Sequence, residues 1–282
     1  MKMNFQELES ARKLIDLALT EDTGSGDITT NNLIPSDIRK TAFLKAKEEG
    51  VIAGLEVAEL VFRTLDQNLQ WNPLVSDGGT VGKGEKIVEF TASYRALLTG
   101  ERTALNFLQR MSGIATTARM YVSAVGNRKT TILDTRKTLP GFRWLDKYAV
   151  RAGGAANHRF GLFDMVMIKD NHISVAGGIL PAVKSIRSGN IGSIRIEVET
   201  TCIREVEEAL AAGADIIMLD NMDIESMSMA VRIIGNRART EASGNMSLER
   251  IDQVAETGVD YISVGALTHS VKAFDISQEI CI

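Results

Sequence analysis

The chain has 282 residues, of which 44% are hydrophobic and 24% are charged, and its formal net charge at pH 7 is -4. This composition excludes a disordered or fibrous protein and predicts a globular one with a large core. The mild acidity argues against general nucleic-acid binding, and the sequence has no apolar run long enough to span a bilayer. With an amphipathic start in place of a signal peptide, we expect a cytoplasmic protein.

The first part of the chain predicts a helix, a group of short strands and a second, long helix. The first helix covers residues 5–21, and the glycines of "TGSGDITT" end it. Its expected apolar face consists of Phe5, Leu8, Ile15 and Leu19. Strands are expected in "TAFLKAKEEGVIAG" and "GEKIVEFTAS", between turn signals such as "SDGG" and "GKGE". An apolar stripe from Ala104 to Val125 then predicts the long helix.

From residue 130 onward the pattern changes to repeated strand and helix units. The strand candidates are "TTILD", "DMVMIKD", "SIRIEVE", "ADIIMLD", "RTEASG" and "DYISVG". The last four recur at roughly the 22-residue spacing of one βα unit in a barrel. This part of the chain is therefore predicted to form parallel strands covered by helices.

Two of these strand candidates are unusually polar for a buried sheet. In "SIRIEVE", Ile196 and Val198 point to one face while Glu197 and Glu199 point to the other, and "RTEASG" is also polar. Strands covered by helices on both faces normally read as continuous apolar runs. The polar face is therefore predicted to line the barrel interior near a functional site.

Charged residues follow the predicted strands where a barrel carries its active site. Residues 134–172 contain seven Lys or Arg against four Asp, which indicates a small anionic ligand. The candidate residues are Arg136, Lys137, His158, Arg159, Lys169, Glu199 and Asp220. The arginines suit carboxylates or phosphates. The two acids are hard oxygen ligands suited to Mg²⁺, or they pair with nearby cations, and the pattern leaves both alternatives open.

Two further features concern anion binding. The last two strand candidates end in "ASGN" and "SVGALTHS", where glycine lets backbone N–H groups approach a phosphate beside a helix start. Arg102 is placed by the predicted pattern in the first turn of the long helix, where a cation opposes the helix dipole. Arg102 is therefore either a solvated surface residue or the partner of an anion elsewhere.

Several long motifs together resemble the quinolinate phosphoribosyltransferase family. They are "EDTGSGDITT", "GERTALNFLQRMSGIAT", "LDTRKTLPGFR", "KYAVRAGGAANHRFGLFDMVMIKDNHI", "IEVE", "MLDN" and "SVGALTHS". The resemblance implies an α/β fold class: an N-terminal α/β sandwich (1–112), an incomplete, six- or seven-stranded α/β barrel (113–270), and a C-terminal return (271–282) to the first domain. It also implies a reaction in which quinolinate and phosphoribosyl pyrophosphate give nicotinate mononucleotide, CO2 and pyrophosphate, with Mg²⁺.

The resemblance assigns a role to each site residue. Quinolinate is held by Arg136, His158, Arg159 and Lys169, while Lys137 reaches toward pyrophosphate and ribose and Thr135 also lies at the substrate. Glu199 and Asp220 hold the ribose hydroxyls or Mg²⁺, and the 5-phosphate is bound by Ser243, Gly244, Ser263 and Gly265. The resemblance further implies a homodimer in which Arg102 completes the neighbouring site. Where the family pattern has "SGG", this chain has "SGN", so Asn245 must accept left-handed backbone angles that suit glycine better.

Three other interpretations remain open at this point. A related molybdenum-operon protein shares the expected fold. A barrel aldolase would use Lys169 as an imine-forming nucleophile. A biotinyl or lipoyl carrier would use "PLVSDGGTVGKGEKIVEF", but this segment lacks the lysine between small or methionine neighbours that such a hairpin needs.

Overall fold

The computed structural model describes residues 1–189 and 192–281. The elements of the N-terminal part are α1 (Phe5–Thr23), α2 (Ile28–Leu33), β1 (Arg39–Ala46), β2 (Gly50–Val51), α3 (Leu55–Leu65), β3 (Gln70–Pro73), β4 (Thr80–Val81), β5 (Lys86–Ser93) and α4 (Tyr94–Val125). They are followed by β6 (Thr131–Leu133), α5 (Arg143–Ala152), β7 (Val166–Ile168), α6 (Asp170–Ala176), α7 (Ile179–Ser188), β8 (Ile196–Thr200), α8 (Ile203–Ala211), β9 (Ile216–Asp220), α9 (Ile224–Ile234), β10 (Arg239–Ser243), α10 (Ile251–Glu256), β11 (Tyr261–Ser263), α11 (Ala266–His269) and β12 (Ile276–Ile280).

The chain forms two compact units that are not continuous in sequence. The first unit contains Met1–Arg119, Thr138–Gly154 and the C-terminal residues from Thr268, and the second contains Met120–Lys137 and Ala155–Leu267. The domain boundaries after residues 112 and 270 stay predictions. Within the described residues, none of the helices combines the length and the apolar character needed to cross a bilayer.

Helix α1 begins where its capping residues satisfy the free backbone donors. The Asn4 side chain accepts a 3.0 Å hydrogen bond from Glu7 N, and the Glu7 carboxylate accepts a 2.8 Å bond from Asn4 N. The prediction that Phe5 lies on the apolar face is wrong, because Phe5 is 75% exposed. The buried row runs at steps of four residues from Glu7 through Ala11 and Ile15 to Leu19.

The first unit contains an antiparallel sheet with the strand order β12-β1-β5-β3. Strand β1 alternates in burial and places Ala42, Leu44 and Ala46 in the core. The C-terminal strand β12 is added at the edge of this sheet by pairing with β1. Helix α3, which the sequence analysis did not predict, buries one apolar face through residues such as Val61 and Phe62.

Helix α4 has 32 residues and carries the predicted apolar stripe, with Ala104, Leu108 and Met111 fully buried. Because the helix begins at Tyr94, Arg102 lies more than two turns inside it. The prediction that Arg102 occupies the first turn, and with it the argument from the helix dipole, is therefore wrong.

The second unit contains a parallel six-stranded sheet, in the order β6-β11-β10-β9-β8-β7, with helices between most of the strands. Five of the six strands lie within the segments predicted for them, and β8 extends one residue past its segment, to Thr200. In the described part of the chain the two outermost strands, β6 and β7, do not pair with each other, so the barrel is incomplete. The register places Ser263 beside Leu133 and Ser243 beside Asp220, which aligns the carboxyl ends of the strands.

Candidate functional site

The aligned strand ends bring most of the predicted site residues to one edge of the second unit. They lie in or directly after their strands as follows: Thr135, Arg136 and Lys137 after β6, Lys169 after β7, Glu199 in β8, Asp220 at the end of β9, Ser243 and Gly244 at the end of β10, and Ser263 and Gly265 at the end of β11. His158 and Arg159 lie in the loop between α5 and β7. Arg102 belongs to the first unit, where it is exposed on α4.

The buried carboxylate of Asp134 ties the segment after β6 to the loop that carries His158. It accepts a 2.8 Å hydrogen bond from the backbone N of His158 and a 3.0 Å bond from Asn157 Nδ2. Next to it, the backbone N of Lys137 donates a 3.1 Å bond to Thr135 Oγ1. Asp134 therefore fixes the start of the "NHR" segment, a role that the sequence analysis did not assign to it.

His158 lies against two buried carboxylates. Its Nε2 atom is 3.1 Å from Glu197 Oε2 and 3.4 Å from Glu241 Oε2, and its side chain is only 6% exposed. Burial alone would lower the pKa of His158, but the two neighbouring carboxylates outweigh it and raise this pKa above its usual value. Burial, together with the negative charge of Glu241, raises the pKa of Glu197 to about 7.

The other ring nitrogen of His158 is also engaged. Nδ1 accepts a 2.7 Å hydrogen bond from the backbone N of Arg159. A second ring proton at Nδ1 would have to displace this N–H group, so the geometry favours a neutral ring with its proton on Nε2 despite the upward pKa shift. Both nitrogens of His158 are therefore committed to contacts within the second unit.

Arg159 is held beside a second arginine. Its Nη1 donates a 3.1 Å hydrogen bond to Met165 O, and its Nη2 contacts Met167 Sδ at 3.6 Å. Burial and the nearby positive charge of Arg136 lower the pKa of Arg159. Two arginines brought together against their mutual repulsion create a local positive potential that an anion would relieve.

The two predicted acids have different surroundings. Lys169 Nζ donates a 2.6 Å hydrogen bond to Glu199 Oε2, so one of the two alternatives from the sequence, pairing with a nearby cation, is realised for Glu199. Lys169 thus forms an ion pair with Glu199. This contact suits a lysine that acts through its charge, whereas an aldolase would use the lysine as the nucleophile that forms an imine. Asp220 Oδ2 accepts a 2.8 Å bond from Asn221 Nδ2.

The loop after β10 has the backbone shape that a small residue requires. Gly244 has a φ angle of +90°, and a Cβ atom on it would lie 2.2 Å from Asn221 Oδ1. Asn245 follows with a φ angle of 48°, so the asparagine does adopt the left-handed region in which the family pattern has glycine. Its side chain donates a 3.2 Å bond to Asn221 Oδ1. After β11, Gly265 precedes a helix of only four residues, so the expected contribution of a helix dipole is small.

Comparison with known protein families gives matches over nearly the whole chain. The family model for the N-terminal domain of quinolinate phosphoribosyl transferase matches residues 27–112, and the model for its C-terminal domain matches residues 114–279.

Curated proteins and solved structures give the same result. The chloroplastic nicotinate-nucleotide pyrophosphorylase (carboxylating) of Arabidopsis thaliana is 45% identical over 95% of this chain and 82% of its own length. A probable nicotinate-nucleotide pyrophosphorylase (carboxylating) of Bacillus subtilis is 45% identical over 95% of this chain and 93% of its own length.

The structure of the nicotinate-nucleotide pyrophosphorylase from Francisella tularensis has a TM-score of 0.93 and 44% identity, and the match covers 97% of this chain and 96% of that structure's chain. NadC from Streptococcus pyogenes has a TM-score of 0.94 and 40% identity, covering 99% and 98%.

Proposed function

The chain belongs to the quinolinate phosphoribosyltransferase family, and on this premise we propose that it transfers the phosphoribosyl group of phosphoribosyl pyrophosphate to quinolinate. The products are nicotinate mononucleotide, CO2 and pyrophosphate, and the reaction supplies NAD biosynthesis. The protein is thus a pentosyltransferase whose substrates are a pyridine dicarboxylate and an activated ribose phosphate.

The observation that carries this proposal is the group of cations at one edge of the parallel sheet. Arg136 and Arg159 lie close enough for their charges to oppose each other, and Lys169 directly follows strand β7. A planar dicarboxylate suits such a group, because a guanidinium can bind a carboxylate through two parallel hydrogen bonds. His158 precedes Arg159 in the same loop, and Thr135 lies beside Arg136.

The chemistry requires groups of opposite sign on the ribose side. The quinolinate ring nitrogen forms a bond to the ribose C1 atom as the bond from C1 to pyrophosphate breaks, so positive charge develops on the ribose. Glu199 and Asp220 stabilise that charge electrostatically, and Lys137 receives the departing pyrophosphate. Release of CO2 from the ring carbon next to nitrogen leaves an electron pair that takes up a proton. Lys169 serves as a charge partner, since no imine is formed.

The same proposal includes Mg²⁺. Glu199 and Asp220 are oxygen ligands on adjacent strands, and Mg²⁺ typically takes one or two carboxylates together with substrate phosphates and water. The two residues would therefore fit a magnesium ion that is bound to the pyrophosphate group of phosphoribosyl pyrophosphate. Such an ion would neutralise part of the phosphate charge. The loops with Ser243 and Gly244, and with Ser263 and Gly265, would hold the 5-phosphate through backbone N–H groups.

The proposal also covers assembly and location. A homodimer would let Arg102 of one subunit serve the site of its neighbour, which gives this exposed cation an anionic partner. We place the protein in the cytoplasm, with neither nucleic acid nor membrane as a partner.

The test is direct incubation with quinolinate, phosphoribosyl pyrophosphate and Mg²⁺, followed by detection of nicotinate mononucleotide and CO2. Arg136→Lys should lower kcat/KM for quinolinate at least about tenfold, about 1.4 kcal/mol, because a point charge cannot replace the guanidinium fork. The matched control is Arg187→Lys, which changes an arginine of the same unit that pairs with Asp215 on the surface. No product from the unaltered protein would refute the function, and a change of less than about twofold in Arg136→Lys would refute the carboxylate clamp.

A further inference from the structure

Two fully buried carboxylates contact His158, and the reaction as proposed gives them no part. Glu197 on β8 and Glu241 on β10 are both 0% exposed. In the described part of the chain, none of their four carboxylate oxygens has a well-aligned hydrogen bond. Burying a carboxylate costs several kcal/mol unless it is neutralised or paired, so this placement needs a compensating interaction.

The side chain that contacts both acids is the imidazole of His158, which has one Nε2 hydrogen to offer them. Its Nε2 atom lies between the acids, 3.1 Å from Glu197 and 3.4 Å from Glu241. A single N–H directed between two acceptors is shared by both and aligned with neither, which accounts for the poor alignment of each contact. The three side chains come from β8, β10 and the loop before β7, so they join distant parts of the second unit.

A histidine with two glutamates is also a set of ligands that could hold a metal ion, and their donor atoms lie within 4.8 Å of one another. The hydrogen bond at Nδ1 argues for a proton in place of a metal. A histidine that binds a metal through Nε2 normally donates its Nδ1 hydrogen to an acceptor. Here Nδ1 instead accepts from the backbone N of Arg159, which leaves the ring hydrogen on Nε2.

We propose that Glu197 and Glu241 are positioning residues, which hold His158 by its Nε2 hydrogen and thereby place Arg159 beside Arg136 for quinolinate. This inference rests on the proposed function, and it gives His158 an indirect role, since both of its ring nitrogens are occupied. The chain of contacts runs from the acids to Nε2, and from Nδ1 to the backbone of Arg159. The negative charge of Glu197 also acts directly on Arg159, where it opposes the repulsion from Arg136.

The experiment compares two double variants. Glu197→Met with Glu241→Met keeps the volume of the side chains but removes both acceptors, whereas Glu197→Gln with Glu241→Gln keeps a carbonyl acceptor at each position. The ring nitrogens of His158 are followed by ¹⁵N NMR in the ligand-free protein, which contains only three histidines. His158→Gln assigns the signals, and quinolinate affinity is measured by calorimetry.

We expect the unaltered protein to carry the ring hydrogen on Nε2. The Met pair should lose this preference and bind quinolinate at least about tenfold more weakly, while the Gln pair should keep the tautomer and recover part of the affinity. The matched control is Asp260→Asn, a carboxylate at the opposite end of the same sheet that accepts from Thr240 and Arg239. It should lower the melting temperature and leave quinolinate affinity within about twofold, because lost stability alone does not disturb the clamp.

The outcomes separate this inference from the proposed function. A protein that shows the Nε2 hydrogen but neither binds nor converts quinolinate would refute the function and leave the histidine arrangement intact. A hydrogen on Nδ1 in the unaltered protein, or displacement of the Nε2 hydrogen by added Zn²⁺, would overturn the inference even if the Met pair did not fold. Unchanged quinolinate affinity in a folded Met pair would overturn it as well.

Discussion

Glu199 and Asp220 carry negative charge at an edge where most of the other site residues are cationic. Glu199 already has a cationic partner in Lys169, whereas Asp220 accepts a hydrogen bond from the neutral amide of Asn221. A negatively charged dicarboxylate has no reason to approach either acid. Under the proposed function, this division of charge would separate a pyridine side from a ribose side within one row of strand ends.

This division predicts different effects on binding and turnover. Asp220→Asn and Glu199→Gln should each lower kcat at least about tenfold, because the charge that stabilises the ribose cation is lost. Neither change should weaken quinolinate binding more than about twofold, and Glu199→Gln should strengthen it by releasing Lys169 from its ion pair. Calorimetric titration and steady-state rates measure both effects.

Asp223→Asn provides the control, since this exposed carboxylate caps α9 only three residues after Asp220 and asparagine caps helices equally well. It should alter neither quantity. If quinolinate binding disappeared in folded Asp220→Asn, the acid would belong to the pyridine side and the division of charge would be wrong.

Single residues differ in how far the sequence predicted them. The cations and acids after the strands were predicted because their positions follow from the ends of apolar runs. The alternation in "SIRIEVE" also placed Glu197 on an interior face. Its meeting with Glu241 and His158 could not be predicted, because that depends on the lateral order of strands and on the path of a loop. No local sequence pattern indicates the lateral order of the strands or the path of that loop.

At the scale of elements, helix α4 and the C-terminal segment approach so closely that only a glycine fits between them. A Cβ atom on Gly113 would lie 2.1 Å from the backbone oxygen of Lys272. Next to this contact, Phe274 N donates a 2.9 Å hydrogen bond to Gln109 O, and Gln109 Nε2 donates to Ile276 O at 2.9 Å. The glycine therefore allows the chain to reach the position where β12 joins the sheet.

Gly113→Ala should consequently destabilise the protein. Alanine favours a helix over glycine by up to about 1 kcal/mol, but overpacking against a rigid backbone costs about 1–3 kcal/mol, and a contact this short belongs at the upper end. We expect a net loss of about 2 kcal/mol in urea unfolding. Asn106→Ala, an exposed change in the same helix, should be neutral or slightly stabilising. Equal stability of the two variants would contradict the close packing.

Most elements with a clear hydrophobic period were predicted, but helix α3 was not, although its apolar residues recur on one face. In the second unit most strands follow from apolar runs, while β8 and β10 come from the two segments that are unusually polar. Helix α3 was missed because it lies between short strands, where the sequence analysis expected strands only. The start of α4 was placed too late, since the stripe that revealed the helix begins at Ala104 while the helix begins at Tyr94.

At the scale of the whole molecule, the order of segments in the sequence does not show which compact unit each segment belongs to. Thr138–Gly154 lies in sequence between β6 and the His158 loop, yet it belongs to the first unit, as does the C-terminal strand. A sequence shows segments in order and does not show such returns, except where a family resemblance implies one, as it did for "VKAFDISQEI". Arg102 raises a similar question at the scale of an assembly, because nothing within one chain shows whether this exposed cation has an anionic partner on another subunit.

The proposed dimer answers that question and can be tested by mixing inactive variants. Arg102→Ala and Lys137→Ala should each be inactive alone, since each lacks one cation required at every site. After the two are unfolded together and refolded, a mixed dimer would contain one site with both native groups and one site with neither. Random pairing makes about half of the dimers mixed, so roughly a quarter of the unaltered activity should return. If Arg102 served its own subunit, every site would keep one lesion and the mixture would stay inactive.

The control is a mixture of Arg102→Ala with Arg136→Ala, which should recover to the same extent, because Arg136 and Lys137 belong to one unit of one chain. Absence of recovery, with subunit exchange demonstrated by differently tagged chains, would refute the shared site.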